Sequence, residues 1–367
     1  MRNVHPIRNP RRGRSRGFSL VEILVAAAIG LIATVAIFQV FAVFEGQKRT
    51  TTSGGEAQTS GTLALFTIER ELRQAGYGMN NTDFLGCIIG AWDEKLGTAF
   101  LMLFAPVFII QGVGSTPGVA GGSDLISLGY GSADLLPSAV NISQNMAASD
   151  SNFRVSNRYG FREGDLLVAA EPGKFCLLSQ VSNLSVTLGD TDVIEHKSGK
   201  FDDPVSGAQK DTRYNKPGGL GISYTTNGKL FNLGASPVVK AYWAQDGQLM
   251  VAALGAPAAP IHDGIVQLQA QYGKDTTGDG VVDLYDEVTP ATSAGWAQIL
   301  SVRIAIVARS GLYEKDVVSP ATIRLWDDSA VPPTTTGPVW TLTADERHYR
   351  YKVFQTVVPL RNMIWRP

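Results

Sequence analysis

From Ile23 to Phe44 the chain runs 22 positions without a charge, nearly all of them apolar. A helix rises about 1.5 Å per residue, so a run of this length reaches across a hydrocarbon layer about 30 Å thick. One acid, Glu22, stands at its entrance. From Glu56 to Ala75 the pattern becomes amphipathic. Leu65, Ile68, Leu72 and Ala75 recur at three- and four-residue steps, while Glu69, Arg70, Glu71 and Arg73 fall mostly on the opposite side. This predicts a second helical stretch with Gly76 as its C-cap. Between the two, Thr50 to Gly55 is rich in threonine and glycine, poor helix material that is expected to loosen the stem.

Past Gly76 the hydrophobic period shortens. Residues 124–130, 165–170, 175–181, 265–272, 299–308 and 349–358 read as strands, with Val302, Ile304 and Ile306 pointing one way. Residues 99–110 are largely apolar and broken by Pro106, too short to span a bilayer and so expected as buried strand and turn. Residues 195–221 are polar, glycine-rich and charged in both signs, a long surface loop or a boundary between two β subdomains. The elements together predict an α+β chain, a long N-terminal helix leading into a β-rich body.

Charge sets the orientation. Arg2, Arg8, Arg11, Arg12, Arg14 and Arg16 precede the apolar run with no acid among them, so the positive-inside rule keeps the leader cytoplasmic and exports the chain beyond Phe44. The whole chain has 32 basic and 33 acidic residues; without those six arginines the balance is clearly acidic, which argues against nucleic acid as a partner. Two cysteines, Cys87 and Cys176, would then face an oxidising compartment. Either they form a disulfide that contributes about 2–4 kcal/mol by closing a long loop, or they are two buried thiols. No Gly-x-Ser-x-Gly, phosphate loop or paired-histidine motif occurs, and His5, His196, His262 and His348 lack neighbours that would make a nucleophilic or metal constellation. No enzyme activity is expected.

The most chemically pointed segment of the body is 275–286. A twelve-residue calcium loop needs oxygens at positions one, three, five, seven, nine and twelve and a glycine at six. Asp275, Thr277, Asp279, the Val281 carbonyl, Asp283 and Asp286 supply the oxygens and Gly280 the bend, so Ca2+ is an expected ligand. Thr277 is a weak ligand and Asp286 is shorter than the usual final glutamate. The competing reading is an Asp-Gly hairpin turn whose acids are merely solvated.

The string Gly17-Phe18-Ser19-Leu20-Val21-Glu22 resembles the class III signal of the type IV pilin and pseudopilin family. Residues 264–273, 296–305 and 348–362 extend the resemblance to minor pilins of type IV pili. It implies a pilin-like fold divided into a leader (1–17), a membrane and filament-core helix (18–44), its amphipathic continuation (45–76) and a periplasmic β-rich domain (77–367) with an insertion near 185–240. It also implies that prepilin peptidase cuts after Gly17, that Phe18 becomes the N-methylated first residue, and that Glu22 pairs with the terminal amine of a neighbouring subunit. A Cys87–Cys176 bridge suits the family. The implied partners are other minor pilins, the major pilin, the inner-membrane assembly platform and a tip adhesin, in a complex that initiates the pilus. The alternatives are a J-type pseudopilin of type II secretion and a calcium-dependent tip adhesin. Arg350 and Arg361 read as ordinary strand residues or as subunit contacts.

Overall fold

A computed structural model describes residues 17–79, 81–114, 122–134, 139–149, 152–187, 191–326 and 338–364. The chain divides at Ser53/Gly54 into two units. One helix, α1 (Leu20–Leu72), crosses that division. In the first unit its apolar side chains are exposed, among them Ile23, Ile32, Phe38 and Phe44. It is long and apolar enough to cross a membrane.

The expected loosening at Thr50 to Gly55 does not occur. Helix propensity is a weak preference, and here each poor former sits inside a long hydrogen-bonded run. Threonine hydroxyls fold back on the helix, Thr51 Oγ1 donating to the Gln47 carbonyl at 2.9 Å and Thr59 Oγ1 to Gly55 at 3.0 Å. Gly76 does take a positive φ of 83°, but it lies in a turn four residues beyond Leu72, where its amide donates to the Gly129 carbonyl.

The second unit is built on three sheets. The largest has the order β2 (Thr98–Leu103), β1 (Ile88–Asp93), β8 (Cys176–Gln180), β7 (Leu166–Ala170), β13 (Lys229–Gly234), β5 (Val140–Gln144), β6 (Asn152–Val155), β10 (Thr191–Glu195) and β9 (Asn183–Thr187). Its β1–β8 pair is parallel, with Ile89 opposite Cys176. That register places Cys87 beside Cys176, and the two form a disulfide with their Cα atoms 5.9 Å apart. The second sheet is β16 (Ala259–Asp263), β15 (Gln248–Ala253), β14 (Val238–Gln245), β4 (Ser123–Tyr130) and β3 (Val107–Gly114). The third is β18 (Leu284–Asp286), β17 (Ile265–Lys274), β19 (Ile299–Arg309) and β22 (Tyr351–Pro359). Two antiparallel pairs, β11 (Lys200–Asp202) with β12 (Gln209–Asp211) and β20 (Thr322–Arg324) with β21 (Val339–Thr341), complete the strands among the described residues, and α2 (Ser293–Ala297) and α3 (Arg361–Ile364) are short helices.

The predicted strands at 124–130, 165–170, 175–181, 265–272, 299–308 and 349–358 correspond to β4, β7, β8, β17, β19 and β22. Residues 195–221 are more ordered than a surface loop: they contain the β11–β12 hairpin and bury Phe201, Thr212 and Asn215. Nearby β13 sits in the middle of the nine-stranded sheet, so the stretch around 185–240 supplies core as well as surface.

The C-terminal part of α1 is seated by small and aliphatic residues on one stripe. Ala57, Gly61, Ala64, Ile68, Leu72 and Ala75 are buried at steps of three and four. They share a core with Ile126 and Leu128 of β4, Tyr242 of β14, Ile304 of β19 and Val358 of β22. β19 is buried on both faces: Val302, Ile304 and Ile306 join that core, whereas Ala305 and Val307 meet Leu325, Trp326 and Trp340. Fully burying a side chain such as Ile68 contributes about 1.5–3 kcal/mol.

Candidate functional site

Gly17, Phe18 and Ser19 lie outside the helix, which begins at Leu20. Phe18 is 83% exposed, and the space around Gly17 is open. The Gly17–Phe18 peptide bond is therefore in non-helical chain, the form a protease needs to bind an extended substrate. Immediately after it a reciprocal cap forms. The Glu22 amide donates to Ser19 Oγ at 3.2 Å and the Ser19 amide donates to Glu22 Oε2 at 2.8 Å. This is the Ser-x-x-Glu capping box, which satisfies two amides at the helix start. A carboxylate in the first turn also suits the positive end of the helix dipole. Glu22 is exposed, so its second oxygen remains open to a donor from another chain.

A second arrangement fixes the end of α1 to the body. Glu71, expected to face away, is only 3% exposed. Tyr130 of β4 donates its hydroxyl to Glu71 Oε2 at 2.6 Å, and Lys240 of β14 donates to Oε1 at 3.0 Å. Burial works to raise the Glu71 pKa, but the donors from Tyr130, Lys240 and Arg70 outweigh it and hold the carboxyl below its usual range. Burial, with the hydrogen bond to Glu71 added, pushes the Tyr130 hydroxyl above its usual range. Further along, Asn362 Nδ2 donates to the carbonyls of Gln74 and Ala75, at 3.0 and 3.1 Å, and so supplies donors where the stem's turn has spare acceptors.

The calcium expectation meets a different geometry. β17 and β18 pair as an antiparallel hairpin across the loop, with Lys274 opposite Leu284. Asp275 accepts the amides of Gly278 and Gly280, Asp283 those of Thr276 and Thr277, and Asp279 that of Val281. The Asp283 carboxyl is lowered first by the Thr276 amide; Asp275 is lowered too, its amide bonds overcoming desolvation. Asp286 is ion-paired with Lys274 Nζ at 2.6 Å. The acids thus cap their own turn or neutralise a lysine. Among the described residues no group of three or more His, Cys, Asp or Glu side chains is placed to hold a metal ion. With these bonds Asp275, Thr277, Asp279, Val281, Asp283 and Asp286 form a self-capped turn rather than a preformed ion site.

Residues 239–362 match the family of the type IV pilus-assembly protein W, PilW, and residues 12–38 match the prokaryotic N-terminal methylation motif. The chain is PilW-like. No curated protein and no solved structure matches it. The methylation match spans Gly17, Phe18 and Glu22, and the capped start of α1 belongs to that motif. The PilW match begins within β14 and runs to α3, so it includes Lys240 of the clamp and Asn362, whereas Glu71 and Tyr130 lie outside it. The two matches support a pilin related to the type IV pilus, and the long apolar N-terminal helix fits a membrane anchor.

Within the PilW-like region, Arg350 is already paired inside the chain, donating to both oxygens of Glu314 at 2.5 and 3.1 Å. Arg361 is exposed at the start of α3. Three residues of these arrangements carry little signal of their role in the sequence. Ser19 was visible as the first letter of Ser-x-x-Glu. Gly61 fell on the apolar stripe but was obscured because glycine carries no hydrophobic signal. Glu71 had no local signal, since its partners come from 59 and 169 residues away.

Proposed function

We propose that this PilW-like chain is a minor pilin that takes part in starting type IV pilus assembly. The carrying observation is the exposed, non-helical Gly17–Phe18 bond, set just before a membrane-length helix whose first turn holds Glu22. Cleavage there by prepilin peptidase leaves Phe18 as an amino terminus available for methylation, while the apolar stem stays on the subunit. A carboxylate in the membrane is costly, so a second subunit's cationic amine is its natural partner and fixes the axial register between stems. The body is held to the stem by Glu71, Tyr130 and Lys240, so a pull on the stem is carried into the domain.

On this reading the subunit waits in the inner membrane with its domain in the periplasm. It then joins other minor pilins, the major pilin, the assembly platform and a tip adhesin. A J-type pseudopilin of type II secretion has the same kind of stem; the PilW match favours the pilus. Nothing in the acidic loop's geometry favours a calcium-dependent adhesin. Glu22→Ala tests the reading: the body should keep its unfolding midpoint, since the side chain bonds only within the first turn, while surface piliation falls. Wild-type piliation in that variant would contradict the role.

A further inference from the structure

Strand β22 is the open edge of its sheet. It is nine residues long and pairs with β19 from Ser301 opposite Pro359 to Arg309 opposite Tyr351 without a register shift. Two flanking bonds fix which backbone groups face outward. The Ser310 amide donates to the Arg350 carbonyl, and the Leu360 amide to the Leu300 carbonyl, so even-numbered residues turn their polar groups toward β19. An antiparallel strand alternates, and the amides and carbonyls of Tyr351, Val353, Gln355 and Val357 therefore point to the open side. Among the described residues no strand pairs there.

Soluble proteins guard such edges with charge, proline, bulges or short strands. Here the protection stops short. Lys352 and Pro359 stand near the ends, but Val353 to Val358 is Val-Phe-Gln-Thr-Val-Val, uncharged, β-forming and free of bulges. Val357 is 48% exposed. The faces of this strand are packed, by α1 over Phe354 and by the Trp326 amide donating to Gln355 Oε1, but its backbone edge is left unpaired among the described residues. An unpaired edge of this composition is an aggregation hazard that calls for an occupant.

The occupant's chemistry is set by the groups it must satisfy. Alternating donors and acceptors at a two-residue repeat are met by another extended main chain, and the uncharged flank suits an uncharged strand. Pairing with a second copy through an antiparallel two-fold is disfavoured by direction. Lys352 reaches Gln58, Phe354 packs over Gly61 and Asn362 reaches Gln74 and Ala75, so β22 advances in the same sense as α1. Two copies paired that way would run their Gly54–Leu72 helices in opposite senses. Subunits drawn from one membrane by the same kind of N-terminal segment run theirs alike.

We infer that the outward edge of β22, centred on Gln355 and Val357, is an assembly surface that takes up an uncharged edge strand from a different pilin-like subunit. The inference rests on the minor-pilin reading and adds to it the place of contact. The test uses the full chain in cells that carry the pilus machinery, with photoreactive benzoylphenylalanine at position 357. Irradiation should yield an adduct to a strand residue of another pilin-like chain. Val357→Pro, which removes one outward amide, and Val357→Lys, which charges the exposed flank, should each lower surface piliation at least fivefold with the body's unfolding midpoint unchanged for the lysine variant. Hydrogen exchange on the isolated chain supplies a second readout: the amides of Val353, Gln355 and Val357 should exchange at least tenfold faster than those of Phe354 and Thr356. No adduct, an adduct to a second copy or to a helix, or equal protection at odd and even positions would overturn the proposal. Wild-type piliation after deletion of the whole chain would instead remove the pilus reading, and the adduct would still decide the edge.

Discussion

Replacing Gly61 with alanine tests how closely the stem sits on the body. In an open helix this change stabilises by about 0.5–1 kcal/mol, because glycine loses more backbone freedom on folding. At position 61 the added Cβ would stand 2.0 Å from Phe354 Cε2 and 2.4 Å from Cδ2, well inside contact distance. The ring has to move. Phe354 is half-buried, so part of the strain relaxes toward solvent, and overpacking of this kind costs about 1–3 kcal/mol. The packing cost exceeds the helix gain, giving a net loss of about 1 kcal/mol. In a Phe354→Ala background the obstacle is absent, and Gly61→Ala should return to a gain of about 0.5–1 kcal/mol. Urea unfolding of the four full-length variants in detergent, monitored by tryptophan fluorescence, closes the double-mutant cycle. If Gly61→Ala stabilises the chain that carries Phe354 as much as the chain that lacks it, the seating is refuted.

Three further outcomes are expected. Glu71→Ala should cost about 2–3 kcal/mol in the same assay, below the figure for a wholly buried pair because Lys240 keeps contact with water; a loss under about 0.5 kcal/mol would mean the clamp is not formed. Because the Glu71 carboxyl is held below its ordinary value, its contribution is present above about pH 4.5 and fades as pH falls below that, and the Ala variant should lack this acid sensitivity. Asp124 behaves in the opposite sense. Desolvation raises its pKa to about 7, although the Ala270 and Gly112 amides oppose the shift, so the folded chain holds a proton that the unfolded chain releases. Stability should therefore fall as pH rises from about 4 to 7, and Asp124→Asn should flatten that part of the profile; an unchanged slope would contradict it. Since the 275–286 acids cap their own turn, a chelator should leave the melting temperature unchanged, and a calcium-dependent rise would show that the loop rearranges around the ion.

Much of the architecture was legible because its signals are local. The apolar run and its acid are contiguous, and β19 announced itself through Val302, Ile304 and Ile306. The helix stripe at 65, 68, 72 and 75 was also readable, although it left out Ala57, Gly61 and Ala64. What stayed hidden depends on distant partners. Glu71 looks solvent-facing beside Glu69, Arg70 and Arg73, and only the fold brings Tyr130 and Lys240 to it. The threonine and glycine run, expected to loosen the stem, stays helical because propensity acts one residue at a time, whereas a long helix forms cooperatively. The acidic loop had calcium spacing, yet spacing does not say where a carboxylate points; the loop's own amides and Lys274 take those oxygens.

The central claim is that the leader is removed at Gly17 and the helix retained. Intact-mass and N-terminal peptide analysis of the chain purified from its membrane tests this most directly. The account predicts a chain beginning at Phe18 with one methyl group on its terminal nitrogen, still carrying Glu22 and the apolar run. A chain that keeps its arginine-rich leader, or one that begins beyond Phe44, would contradict it.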